Sequence, residues 1–313
     1  MSDYWRKKKV LVTGGYGFLG SHVVAAILAR GVELKDVRTY GSSELDLRDM
    51  GNCRTAVKGI DIVLHVAGRG GGIGYNQRNP GSLFFDNITM NTHLMEVARQ
   101  EGVEKFVGIG TVCSYPKYTP VPFRESDLWE GYPEETNASY GLSKKMMIVQ
   151  SEAYRRQYGF NSINPLLVNL YGPRDKFDLK DSHVIPALIR KFVDARRRGE
   201  REIIAWGSGK ASREFLHVRD AAEGILLAAE KYDRSEPVNI GSGCEVTIKE
   251  LTELIAELSG FQGEILWDTS KPDGQPRRCL DTSRALQEFG YRAKIPLKEG
   301  VQETIEWYMA NNK

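Results

Sequence analysis

Short apolar runs alternate with longer amphipathic stretches through the first two-thirds of the chain. The apolar runs lie at 10–12, 61–66, 105–110 and 162–170. Between them, hydrophobic residues recur at helical spacing over 21–30, 82–100 and 138–158. Strands that alternate with helices in this way are typical of βαβ units, in which helices cover both faces of a parallel sheet. The pattern therefore predicts an α/β fold built on a Rossmann-like, doubly wound parallel sheet.

The pattern changes after residue 171. Further helices are predicted over 182–198, 219–231, 247–259 and 297–310, with strand-like runs at 203–206, 214–217 and 237–240. We expect residues 1–170 to form the Rossmann domain, with a return of the chain to its sheet at 218–242. Residues 171–217 and 243–313 are then expected to form a smaller, interleaved α/β lobe.

Composition excludes several classes of protein. The 313 residues are 41% hydrophobic and 27% charged, as in ordinary folded proteins, and the net charge of +2 favours neither nucleic acid nor an acidic membrane as a partner. No apolar run approaches the roughly 18 residues of a membrane span, so we expect a cytosolic protein. The four cysteines lack C-x-x-C spacing and the five histidines lack metal-ligand spacing, which predicts free thiols and no metal site.

A glycine-rich loop, "TGGYGFLG", joins the first predicted strand to the first helix. It satisfies both G-x-G-x-x-G and G-x-x-G-x-x-G, which let the backbone approach a pyrophosphate at a helix N-terminus. We therefore predict a dinucleotide site in this loop. The residues expected to contact the cofactor there are Gly14, Gly17, Phe18, Leu19 and Gly20.

The second strand is expected to end near 37–39, and the residues at its end indicate which dinucleotide binds. An NAD site usually places a carboxylate there, whereas an arginine accommodates a 2′-phosphate. The chain has Arg38 and no acid until Glu44, which favours NADP(H) over NAD(H). Asp46 and Leu47 are expected to lie near the adenine, although Asp46 is also a candidate N-cap for the next helix. Ala67, after the third strand, is expected beside the cofactor.

Candidate catalytic residues lie on the next two elements. Tyr140 and Lys144 form Y-x-x-x-K on one face of a predicted helix, where a cation lowers the pKa of a tyrosine. Thr111 ends the fourth strand, where its hydroxyl is placed to bond the phenol or a substrate carbonyl. Cys113 follows on the loop, either as a small packed residue or as part of the chemistry.

These motifs together resemble those of the extended short-chain dehydrogenases/reductases. Longer stretches, "GGIGYNQRNP", "DSHVIPALIRKF", "SREFLHV" and "KPDGQPRRCLD", are similar to the GDP-L-fucose synthase family, which epimerises and reduces GDP-4-keto-6-deoxymannose. The resemblance implies a reductive site at Thr111, Tyr140 and Lys144, and an epimerising pair, Cys113 and His183. It also implies that the smaller lobe holds a GDP-sugar through Asn169, Lys191, Trp206, Arg213 and Lys271.

The resemblance carries departures and alternatives. Thr111 stands where the family usually has serine, Lys191 replaces a common arginine, and Tyr16 stands where NADP users often have arginine. Relatives include redox-neutral NAD-dependent epimerases, of the GDP-mannose 3,5-epimerase or UDP-hexose 4-epimerase kind, and a non-enzymatic dinucleotide sensor is a more distant alternative. Relatives dimerise through a four-helix interface that corresponds to helices 82–100 and 138–158, which implies a homodimer.

Four residues also have interpretations in which they only stabilise the fold and contact no ligand. Trp206 is a candidate core residue and Arg213 a candidate for a surface ion pair. His65 is expected to pack at the end of its strand. His183 taken alone would be an ordinary residue at the start of a helix.

Overall fold

Five parallel strands form the main sheet of the computed structural model, which describes residues 3–179, 181–271 and 275–312. In order across the sheet they are Val37–Arg38, Val10–Thr13, Ile62–His65, Lys105–Gly108 and Ser162–Ile163. The strands of the chain are β1 Val10–Thr13, β2 Val37–Arg38, β3 Ile62–His65, β4 Lys105–Gly108, β5 Gly110–Thr111, β6 Ser162–Ile163, β7 Pro165–Leu167, β8 Asn169–Tyr171, β9 Glu202–Trp206, β10 Ser212–His217, β11 Val238–Ile240, β12 Glu245–Thr247 and β13 Glu264–Asp268.

Helices cover both faces of this sheet. The α-helices of the described residues are α1 Phe18–Ala29, α2 Met50–Val57, α3 Ile73–Arg78, α4 Pro80–Gln100, α5 Ala138–Tyr158, α6 Val184–Arg198, α7 Val218–Lys231, α8 Ile248–Ser259, α9 Ser283–Phe289 and α10 Leu297–Asn311. Alternate residues of β1 enter different cores. Val10 and Val12 pack with residues of α1 and α7, and Leu11 packs with residues of α2 and α4. The doubly wound α/β prediction is therefore confirmed.

Two predicted strands are broken into shorter ones. The run 162–170 becomes β6, β7 and β8, and the run 105–110 becomes β4 and β5. Each break coincides with a change of partner. β6 pairs with β4, β7 pairs with β5 and β11, and β8 pairs with β10. Pro165, which has no N–H to donate, begins the second of these strands.

Three predicted helices begin two or more residues away from the expected position. α1 begins at Phe18 instead of residue 21, because the glycine loop turns directly into the helix after Gly17. α4 begins with Pro80, which suits a first helical turn, two residues before the predicted start. α6 begins at Val184, and His183 precedes it with an extended backbone.

A second core lies under the remaining elements. β8, β10 and β12 form one small sheet, β9 pairs with β13, and helices α6, α8 and α10 supply most of the buried side chains. β11 pairs with β7, and α7 packs on α1, within the region 218–242 that was expected to return to the Rossmann sheet. The assignment of domain boundaries at 171 and 243 stays a prediction. Among the described residues, no helix combines the length and apolarity that a membrane span needs.

Candidate active site

The glycine loop forms a tight cradle between β1 and α1. Gly14 has a left-handed backbone with φ +67°, and a Cβ there would lie 3.1 Å from Ala67 Cα. A Cβ on Gly20 would lie 2.0 Å from the Gly14 carbonyl oxygen, so only glycine allows this approach. Among the residues that the structure describes, no side chain caps the first turn of α1 at Gly17. The cradle with its open helix N-terminus fits a dinucleotide pyrophosphate.

A buried hydroxyl lies beside this cradle at the end of β2. Thr39 Oγ1 has no hydrogen-bond partner among the described residues, and a Cβ on Gly15 would lie 2.2 Å from it. A buried hydroxyl without a partner fits a site that a polar ligand completes. Arg38, just before it, donates from Nη1 to the Lys58 carbonyl at 2.6 Å.

Asp46 pairs with an arginine and does not cap the helix that follows it. Its carboxylate accepts from the Arg48 guanidinium at 2.6 Å, and this pairing lowers the pKa of Asp46 to about 2. The N-cap of α2 is Asp49, whose side chain accepts from the backbone N–H of Asn52 at 2.8 Å. The N-cap interpretation of Asp46 is therefore wrong. Leu47, beside it, packs against the core under α2 and α4.

A buried hydrogen-bond chain fixes the loop after β3. Thr13 Oγ1 pairs with His65 Nδ1 at 2.8 Å, and His65 Nε2 pairs with Asn91 Oδ1 at 2.9 Å. The backbone N–H of Ala67 donates to Thr13 Oγ1 at 3.0 Å. Burial lowers the pKa of His65 to about 3, so the ring is neutral. The expected packing role of His65 is confirmed, and Ala67 lies against the glycine loop.

The start of α5 packs tightly on the loop that carries Thr111 and Cys113. A Cβ on Gly141 would lie 2.2 Å from the Cys113 carbonyl oxygen, and Ser114 Oγ donates to the Gly141 carbonyl at 2.9 Å. Thr111 Oγ1 accepts from the Cys113 backbone N–H at 3.2 Å. This packing brings Tyr140, the residue before Gly141, next to Cys113.

The environment of Tyr140 favours a protonated phenol. Burial raises the pKa of Tyr140 well above its usual value, and negative charge on Cys113 raises it further. Burial also lowers the pKa of Lys144 to about 8, and its Nζ lies 3.5 Å from the Ala67 carbonyl oxygen. The expectation that Lys144 lowers the pKa of Tyr140 is therefore wrong for this structure. Within the described chain, no hydrogen bond joins the Tyr140 and Thr111 hydroxyl groups.

Segment 70–72 connects Tyr140 to the chain just before His183. A Cβ on Gly70 would lie 3.7 Å from Tyr140 Cε2, so the backbone runs along the phenol ring. Gly72 donates its N–H to the Asp181 carbonyl at 2.9 Å, and a Cβ on Gly72 would lie 2.6 Å from the Ser182 carbonyl oxygen. The glycines of "GGIGYNQRNP" are the sequence signal for this close approach.

His183 and Tyr140 both keep contact with solvent. The histidine is exposed and Tyr140 is partly exposed, although burial lowers the pKa of His183 and raises that of Tyr140. Side chains that protein surrounds on most sides but that stay open to water lie on the wall of a cleft. This placement gives small molecules access to both residues.

Three predicted substrate residues lie together in the second lobe. Lys191 and Trp206 line an open groove of about 550 Å³. Lys191 Nζ donates to the Ile204 carbonyl at 2.6 Å, and Lys271 Nζ lies 5.6 Å from the centroid of the Trp206 ring. Trp206 is 66% exposed, so the core interpretation of this residue is wrong. An exposed indole with two nearby ammonium groups fits a planar ring and an attached anion.

The other two predicted substrate residues lie elsewhere. Asn169 on β8 donates its amide to the Glu214 carbonyl at 3.0 Å, and Arg213 on β10 donates to the Ser212 carbonyl at 2.7 Å. Neither belongs to the lining of the groove.

Arg278 is a polar residue of the site that the sequence reasoning missed. Its side chain is only 8% exposed, and its Nη1 donates to Cys113 Sγ at 3.7 Å. The neighbouring Arg277 points to the surface and pairs with Glu245 at 2.7 Å. The sequence shows two adjacent arginines and offers no sign of which one is buried.

Comparisons with known proteins show what the chain is similar to. A family model described as the NAD dependent epimerase/dehydratase family matches residues 10–241. A probable GDP-L-fucose synthase 1 of Oryza sativa subsp. japonica is 42% identical over 306 residues, covering 97% of this chain and 92% of that protein. The GDP-L-fucose synthase of Escherichia coli strain K12 is 37% identical, covering 97% of this chain and 98% of its own length.

A solved structure supports the fold independently. The crystal structure of a GDP-L-fucose synthetase from Naegleria fowleri bound to NADP matches with a TM-score of 0.86 and 27% identity. The match covers 97% of this chain and 95% of that one.

Proposed function

The chain belongs to the NAD-dependent epimerase/dehydratase family, and we propose that it is an NADP(H)-dependent 3,5-epimerase/4-reductase of a GDP-4-keto-6-deoxyhexose. The product is then GDP-L-fucose or a close relative. The observation that carries the proposal is segment 70–72, whose backbone contacts both the Tyr140 ring and the residue before His183. It brings a group suited to reduction and a group suited to epimerisation to one cleft, beside Cys113. Relatives named GDP-L-fucose synthase along nearly the whole chain support the same activity.

Epimerisation is assigned to Cys113 and His183. A ketone at C4 acidifies the protons at C3 and C5, so inversion needs one group to remove a proton and another to deliver a proton to the opposite face. A thiol and an imidazole both exchange protons near neutral pH. The lowered pKa of His183 keeps its ring largely neutral between turnovers.

Reduction is assigned to Tyr140, Lys144 and Thr111. NADPH, when bound, supplies the hydride for C4. Because its pKa is raised, Tyr140 starts protonated and has a proton to give to the ketone oxygen. Lys144 holds its ammonium near the Ala67 carbonyl, beside the glycine loop. The Thr111 hydroxyl at the end of β5 is positioned to bond the same ketone oxygen.

The cofactor and the nucleotide are assigned to the two ends of the cleft. The glycine cradle, Thr39 and Arg38 would hold the dinucleotide, with Asp46 and Leu47 on the loop expected near the adenine. Arg38 at the end of β2 and the NADP in the Naegleria fowleri structure support NADP(H) over NAD(H). Lys191, Trp206 and Lys271 would hold the GDP moiety, since cations suit its phosphates and an exposed indole suits its base.

The test is NADPH oxidation with GDP-4-keto-6-deoxymannose, followed by identification of the product sugar. We expect NADPH to be consumed in proportion to a reduced, inverted sugar. A protein that inverts the sugar without oxidising NADPH, and from which tightly held NAD is released on denaturation, would be a redox-neutral epimerase. A protein that binds dinucleotide but turns over no nucleotide sugar would be a sensor.

We also propose a cytosolic homodimer. Helices α4 and α5 pack side by side, and both expose apolar side chains: Phe84, Phe85, Met146 and Val149. Two copies that pair these helices about a two-fold axis would bury the four side chains in a four-helix interface. Light scattering should give twice the chain mass of 35.2 kDa. A Phe85→Glu variant should give the mass of a single chain, and a wild-type monomer would contradict the proposal.

A further inference from the structure

The backbone around Arg278 is fixed between two other elements. The Arg278 carbonyl accepts from Glu214 N at 3.0 Å, and Leu280 N donates to Glu214 Oε2 at 2.6 Å. On the other side, Phe123 N donates to the Cys279 carbonyl at 2.8 Å. The segment therefore runs alongside β10, held by backbone hydrogen bonds on both sides. Its anchoring gives the Arg278 side chain a defined starting point.

The guanidinium is held by neutral groups and directed at the thiol. Nε and Nη2 donate to Gln275 Oε1 at 3.2 and 3.0 Å, and Gln275 Nε2 donates to the Lys117 carbonyl at 2.8 Å. Nη1 is left to donate to Cys113 Sγ at 3.7 Å. Among the described residues, no carboxylate lies within 4.0 Å of this guanidinium. A buried cation with neutral neighbours interacts most favourably with an anion that forms beside it.

We propose that Arg278 is a positioning residue for proton exchange at Cys113, stabilising the thiolate and holding its sulfur toward the cleft. This inference rests on the proposed function and adds one assignment to it, namely that Cys113 is the member of the pair that takes a proton from the carbon next to the ketone. In that step the thiolate becomes a thiol and the substrate becomes an enolate, and the same proton count is restored when the enolate is reprotonated. A cation beside a sulfur favours the thiolate, as at other reactive cysteines.

The first test measures the thiol and needs no turnover. The rate of alkylation by iodoacetamide is followed against pH, and peptide mass spectrometry separates Cys113 from the exposed Cys244. We expect R278Q to move the midpoint of Cys113 alkylation upward by about one pH unit or more. R278K keeps the charge, so the midpoint of Cys113 alkylation in this variant should lie between those of wild type and R278Q. The matched control is R277Q, whose arginine is exposed and paired with Glu245, and it should behave as wild type.

The second test links the charge to the reaction. Deuterium uptake into GDP-4-keto-6-deoxymannose is measured in D₂O at pH 7, and R278Q should exchange about tenfold more slowly or worse, with R278K intermediate. An unchanged alkylation midpoint in folded R278Q would overturn the inference. If R278Q does not fold, R278M takes its place as the variant without the charge, and an unchanged alkylation midpoint in folded R278M would overturn the inference. A shifted midpoint in a protein whose wild type exchanges no substrate protons would support the pairing and refute the proposed function.

Discussion

The pH dependence of stability tests whether burial raises the pKa of the Asp175 carboxyl. Asp175 follows β8, its side chain is 9% exposed, and Oδ1 accepts from Lys176 N at 2.7 Å. Oδ2 is buried without a hydrogen-bond partner among the described residues. Burial raises the pKa of this carboxyl from 3.8 to about 7. The folded protein therefore favours the protonated acid, and Asp175→Asn imitates that form at every pH.

The sign and size of the effect follow from the raised pKa. The contribution of the protonated Asp175 is fully present below pH 3.8 and is lost as pH rises through about 7. From pH 5 to about pH 7 the wild type should lose about 1.4 kcal/mol of unfolding free energy per pH unit through this group, which is about 3 kcal/mol in total, and it should lose almost none above the folded-state pKa. Asp175→Asn should not lose it. The variant should therefore gain about 3 kcal/mol on the wild type over this interval.

Urea unfolding at pH 5 and pH 8 measures the difference. The matched control is Glu264→Gln, which changes an exposed carboxylate on β13 and should leave the pH dependence of the wild type unchanged. An equal stability difference between Asp175→Asn and wild type at both pH values would refute the reasoning. That result would mean that Asp175 is ionised in the folded protein throughout the interval.

Three substitutions test the two ends of the cleft. Gly20→Ala should weaken NADPH binding at least about tenfold by fluorescence titration, because its Cβ would lie 2.0 Å from the Gly14 carbonyl, whereas Gly81→Ala, with open space around it, should bind normally. Gly72→Ala should slow deuterium exchange into the substrate while NADPH affinity stays near wild type, since it displaces the chain before His183. Trp206→Ala should raise KM for the GDP-sugar about tenfold with little change in kcat, and an unchanged KM would remove the indole from the substrate site.

Local patterns were sufficient to predict most strands of the main sheet and three of its helices. The apolar runs and the glycine loop depend on spacing within a few residues, and β1, β3, β4 and α5 lie where they were expected, whereas α1 and α4 begin two or three residues earlier. The breaks around Pro165 were not predicted, because they follow from a change of partner strand, and pairing joins distant parts of the chain.

Local sequence patterns predict the site only in part, for the same reason. Tyr140 and Lys144 lie four positions apart, so the sequence predicts their shared helix face, but the pKa of Tyr140 depends on burial by the rest of the fold. The contact between Arg278 and Cys113 spans 165 positions. No local pattern distinguishes Arg278 from Arg277, and only the fold shows which of the two enters the site.

The most direct test of the account compares Cys113→Ser with Tyr140→Phe on one substrate. Deuterium uptake at C3 and C5 of GDP-4-keto-6-deoxymannose and oxidation of NADPH are measured in the same D₂O reaction. Cys113→Ser should lose roughly 100-fold or more of the exchange while still reducing some uninverted ketone, and Tyr140→Phe should keep the exchange and lose the reduction. If Cys113→Ser exchanges and inverts the sugar at the wild-type rate, Cys113 is a packing residue and the central claim is wrong.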